Sequence, residues 1–108
     1  MKYFILTIIF FFFSNNAIAH CTGNSCTNVK ITRIYVNPDN NTVISTSGDE
    51  SKLNCDAGKN GYITLDPNGK NYNSTYSLLL TAHTTEHPIW VRTSAAGSCK
   101  VVYVVSDK

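Results

Sequence analysis

Three groups of residues in this chain could do chemistry. His83-Thr84-Thr85-Glu86-His87 spells H-x-x-E-H. Two histidines four apart on one helical face can hold zinc, with the glutamate as base and a third ligand from elsewhere. Pro88 follows at once, and proline cannot continue a helix. His87 therefore falls beyond the helix end, where histidine suits the macrodipole rather than a metal. His20 is the second candidate. Freed as an N-terminal residue, it would offer copper an amine and an imidazole, with His83 or His87 as a further ligand. Its place beside a short cysteine-bounded loop suits an exposed tail instead. The third group is Ile89-Trp90-Val91-Arg92. Side chains on a strand alternate between faces. Ile89 and Val91 are the natural core pair, which puts Trp90 beside Arg92 on the opposite face. Both types are enriched at interface hot spots. Such a pair can stack on a sugar face and donate to its hydroxyls, or anchor a neighbouring subunit. Trp90 and Arg92 are the candidate binding residues. The serines and threonines have no nucleophile–base–orienter pattern around them, so no catalytic residue, metal or cofactor is assigned and the chain reads as non-enzymatic.

The N-terminus sets the compartment. Met1-Lys2 is a positive start, Tyr3 to Phe13 is almost unbroken apolar, and Ser14-Asn15-Asn16 leads to Ala17-Ile18-Ala19. These are the three parts of a cleavable signal peptide. A membrane span needs roughly 20 apolar residues, more than this run supplies. Lipoprotein processing would use Cys21, but His20 before it is not small. Residues 1–19 are read as a signal peptide and 20–108 as one secreted or periplasmic domain. Without Lys2 that domain has eight Lys+Arg against seven Asp+Glu. No basic run is present, which argues against nucleic acid as a partner.

A domain this small buries little surface, and secreted domains compensate with disulfides. Cys21, Cys26, Cys55 and Cys99 allow three pairings. Cys21–Cys26 and Cys55–Cys99 are favoured, because Thr22-Gly23-Asn24-Ser25 is turn-like and lets the first two meet. The spacings do not give the paired knuckles of a zinc site.

The elements that must position these residues read mainly as strands. Asn28 to Val36 is β-branched and aromatic, with a slip in alternation that predicts a bulge near Thr32-Arg33. Thr42 to Thr46 and Tyr62 to Leu65 are further strands, with a short extended piece at Lys52 to Cys55. Tyr72, Tyr76, Leu79, Leu80 and His83 fall on one helical face, which predicts a helix over 73–84 capped by Asn73 or Ser74. Ile89 to Thr93 and Cys99 to Val105 complete the set. The last is apolar at nearly every position, so both its faces are expected to be covered. The order is strand, strand, strand, helix, strand, strand. That is the order of a small, disulfide-stabilised five-stranded OB-fold-like barrel, mainly β with one helix.

Tyr76 to Arg92 resembles the helix-to-strand segment of the binding subunits of subtilase-cytotoxin-like and pertussis-like bacterial toxins. The likeness rests on an apolar helix ending at Thr84-Thr85, on Pro88-Ile89 entering the next strand, and on the later Cys99. It implies a secreted OB-fold subunit that assembles as a homopentamer and binds cell-surface glycans. The sugar-contacting serine and aromatic residues of that family are not placed on this chain. The expected function is a non-catalytic module that binds a glycan or another protein, with a monomeric inhibitor or structural factor as the alternative. N-terminal sequencing of exported protein should return His-Cys-Thr. A start at Met1, or a lipid on Cys21, would contradict the processing.

Overall fold

The computed structural model describes residues 18–39 and 41–108. The apolar run that carries the signal-peptide reading lies outside the described residues. Strands β1 (His20–Thr22), β2 (Ser25–Val29), β3 (Ile31–Val36) and β4 (Thr42–Thr46) are followed by a 3-10 turn at Glu50–Lys52. Then come β5 (Ile63–Leu65), α1 (Tyr72–Thr85), β6 (Ile89–Thr93) and β7 (Val101–Val105). The strands make two antiparallel sheets, ordered β1-β2-β6-β7 and β3-β4-β5. Together they form an open, not a closed, barrel. Among the described residues no helix is long and apolar enough to cross a membrane.

Two seams join the sheets. On one side the chain itself crosses, leaving β2 at Val29 and entering β3 at Ile31 through Lys30. The single strand expected over 28–36 is thus two strands, one in each sheet. The predicted bulge is present as a register shift between Ile31 and Arg33. A second irregularity lies between Cys26 and Val29, where Asn28 takes a left-handed φ of 51°. Extra residues on one side of a ladder bend and twist the strand, which turns it from one sheet into the other. On the other side Thr64 of β5 and Lys100, just before β7, form an isolated parallel bridge. There the Thr64 amide donates to the Cys99 carbonyl at 2.9 Å.

Both disulfides pair as expected, Cys21 with Cys26 and Cys55 with Cys99. The first lies across β1 and β2, whose register sets the two cysteines opposite each other. The segment between them is therefore a β-hairpin and not a plain loop, with Gly23 supplying a φ of 58°. The second joins the loop after the 3-10 turn to the loop before β7. Of the extended piece expected at Lys52–Cys55, Lys52 ends the 3-10 turn, while Leu53 is extended and forms an isolated bridge with Gly23. Asp49 caps the turn, its carboxylate accepting from the Ser51 amide at 3.1 Å and hydroxyl at 2.5 Å. Those bonds favour the ionised form and hold the Asp49 pKa below the usual carboxylate value.

Inward residues of both sheets meet the helix in one core of Val29, Ile44, Ile63, Leu65, Leu79, Val91 and both cystines. The helix begins at Tyr72 because its first side chain is anchored, the Tyr72 hydroxyl lying 2.7 Å from Thr42 Oγ1. Asn71 occupies the N-cap without a side-chain bond, so neither Asn73 nor Ser74 caps. The buried stripe is Leu79 and Ala82, with Tyr72 and Tyr76 partly covered. Leu80 was expected on this stripe but is 43% exposed. It sits about 100° round the helix from Leu79, and the small Ala82 takes the inward place. The last strand is not covered on both faces either. A shift between Arg92 and Thr93 pushes Val102 out of the ladder, leaving it 59% exposed.

Leu79→Ala should cost about 2–5 kcal/mol by opening a cavity in the core. Leu80→Ala should stay within about 0.5–1 kcal/mol. Urea denaturation of both variants checks the phase of the helix, and equal losses would contradict it.

Candidate functional site

The alternation expected on β6 is present. Ile89, Val91 and Thr93 are buried, while Trp90 and Arg92 are half-buried on the outer face of the four-stranded sheet. Register places neighbours beside them. Arg92 lies opposite Ser25 of β2 and Tyr103 of β7, and Trp90 lies opposite Val105. Directly opposed residues share a face, so Ser25, Trp90, Arg92, Tyr103 and Val105 form one outward surface. Trp90 meets Tyr103 edge to face, with ring centroids 5.8 Å apart and planes at 86°. This geometry is favoured by the ring quadrupoles. The Trp90 indole nitrogen is buried without a hydrogen-bond partner, the kind of orphan donor native structures keep few of.

A cleft of about 500 Å³ opens beside Trp90. Pro88, Ile89, Trp90 and Val105 give it an apolar wall, while Thr27 and His87 add polar groups. The last residues of the chain close one side, held by the His87 Nε2–H, which donates to the Asp107 carbonyl at 2.7 Å. Apolar walls with a few polar groups are what small-ligand sites are made of. Sequence reading named Trp90 and Arg92 but missed Tyr103 and Val105. Their spacing of two on the last strand was the available signal, masked by the apolar run around them.

The H-x-x-E-H segment is spent on structure. The helix ends at Thr85, and Glu86 is its left-handed cap with a φ of 58°. His83 Nδ1–H donates to the Ile31 carbonyl of β3 at 2.8 Å, tying the helix to that strand. His83 and His87 thus bond backbone carbonyls of two different segments, β3 and the stretch after β7. The His20 ring lies 3.0 Å from the Ile18 carbonyl and 3.3 Å from the Thr27 hydroxyl. Among the described residues, no group of three or more His, Cys, Asp or Glu side chains converges as metal ligands would.

Comparison with family models, with curated proteins and with solved structures finds no match to this chain.

His83→Ala should cost about 1 kcal/mol, the usual net worth of a hydrogen bond. Stoichiometric zinc should leave the melting temperature of the unaltered protein unchanged. A zinc-dependent rise that His83→Ala abolishes would restore the metal reading.

Proposed function

We propose that this chain is exported, loses residues 1–19, and works outside the cytoplasm as a non-catalytic binding module of the OB type. Its ligand, a glycan or another protein, is taken on the outer face of the four-stranded sheet. Trp90 and Arg92 carry that surface. The observation behind it is their placement with Tyr103 and Val105 on one outward face, next to an open cleft. An aromatic pair beside an arginine offers stacking faces and directed donors together. The two disulfides suit an oxidising compartment.

Strand adjacency supports the OB type. With β2 and β3 counted as one bent strand, the circuit runs from it to β4, β5, β7, β6 and back, with the helix between β5 and β6. That is the connectivity of a five-stranded Greek-key barrel, with the β1 hairpin strand added at an edge. A homopentamer is the assembly we propose. The chain has two unlike open edges, β1 and β3, with Val36 exposed on the second. Contact between unlike edges is heterologous, and such contacts form a ring when the rotation closes.

Trp90→Ala separates a binding surface from a packing role. The variant should keep its circular dichroism and lose about tenfold or more in glycan-array or partner affinity. Unfolding, with binding lost only in proportion, would contradict the site. Light scattering reads the assembly: five chains support the ring, and a single chain would favour a monomeric inhibitor.

A further inference from the structure

The three-stranded sheet carries a second built surface, on the side away from the core. The register sets Arg33 opposite Ser45, and sets Tyr35, Val43 and Thr64 in line across β3, β4 and β5. Tyr62 precedes β5, two residues from Thr64, and so falls on the same face. The surface is organised by specific contacts. Arg33 Nη1 donates to the Tyr62 hydroxyl at 3.1 Å, spanning the middle strand beside Ser45. The Tyr35 and Tyr62 rings lie 6.3 Å apart with planes tilted by 34°. Ser45 Oγ donates to the Gly61 carbonyl at 3.2 Å, fixing the residue that leads into Tyr62. Gly61 has a φ of 64°, a left-handed turn that glycine adopts without a Cβ penalty.

Val43 marks this as a distinct feature. It is only 7% exposed, yet it does not belong to the contiguous core. Its register neighbours are Tyr35 and Thr64, with Tyr62 on the diagonal, so it forms the floor of the surface. Tyr35 itself is 45% exposed. The result is a shallow platform: two tyrosine faces over a dry floor, with a guanidinium and two hydroxyl side chains at its margin.

We propose that this platform is a second ligand surface, separate from the Trp90–Arg92 face, and that it takes an extended chain of neutral sugars. A pyranose has one face lined with C–H bonds, whose positive hydrogens meet the negative face of an aromatic ring. Two tyrosines set side by side at a low tilt can support consecutive sugars of one chain. Arg33 retains N–H donors beyond the one given to Tyr62, and Ser45 and Thr64 can also bond sugar hydroxyls. Tyrosine and arginine also stack on nucleic-acid bases. A phosphate backbone requires several cations, however, and this register carries two, Arg33 and, bridged to Thr64, Lys100. The proposal does not depend on the Trp90 site, and its test separates the two.

The experiment is NMR on the exported protein with labelled tyrosine rings, titrated with cellotetraose, chitotetraose and mannotetraose. Ring signals of Tyr35 and Tyr62 should shift with at least one of these sugars. Tyr35→Ala should weaken that binding by about tenfold, Arg33→Ala should weaken it by a smaller factor, and Trp90→Ala should leave it unchanged. If Tyr35→Ala does not fold, Arg33→Ala decides the same point. Absence of shifts with all three sugars would overturn the proposal. So would shifts seen only with an oligothymidylate, shifts that follow protein concentration alone, or shifts abolished by Trp90→Ala.

Discussion

The fold depends on how the edges of two small sheets are held against each other. One seam needs no special chemistry, because the main chain runs through it at Lys30 between β2 and β3. The other has the isolated bridges of Thr64 with Lys100 and of Asp56 with Ser98, weak joins by themselves. The Cys55–Cys99 disulfide sits there, and the surrounding backbone is tied to it. The Cys99 amide donates to the Asp56 carbonyl at 2.9 Å, and the Asp56 amide donates to the Gly97 carbonyl at 2.7 Å. The cysteines are 44 residues apart in sequence, so the bond removes about 4 kcal/mol of loop-closure entropy from the unfolded chain. A barrel this small has little other reserve.

With both seams held, the inner faces of the sheets and the helix share one core, and the outer faces are released for other uses. Each outer face pairs an arginine with a tyrosine from a different segment of the chain. Arg92 lies opposite Tyr103 on one sheet, and Arg33 is bonded to Tyr62 on the other. The smaller Cys21–Cys26 hairpin plays a local part. It brings β1 alongside β2 and packs so closely on Gly48 that a side chain there would lie 2.8 Å from Cys21 Sγ.

Much of the fold was legible where one period dominated. Thr42–Thr46 and Ile89–Thr93 are strands with the expected bounds, and the slip after Ile31 is a real bulge. The cysteine pairing followed from the short turn between Cys21 and Cys26. What was not legible depended on packing partners. Leu80 looks as apolar as Leu79, and only the fit of Ala82 against the sheet decides which of them faces inward. The exposure of Val102 comes from a register shift set by β6. Of the candidate site, the alternation of Trp90 and Arg92 could be read directly. Tyr103, Val105, Tyr35 and Tyr62 join their surfaces through pairings between distant segments, which a local pattern does not carry.

Hydrogen exchange at the Thr64 amide, compared between Cys55→Ser/Cys99→Ser and Cys21→Ser/Cys26→Ser, tests the role of the seam most directly. That amide donates across the seam to Cys99, so its protection reports whether the sheets stay joined. Loss of the long bridge should release it well before the β3–β4 amides exchange, and should lower the melting temperature more than loss of the short bridge. If Thr64 stays protected without Cys55–Cys99, or if the short bridge is the more damaging to lose, the disulfide does not hold the seam and this account of the fold is wrong.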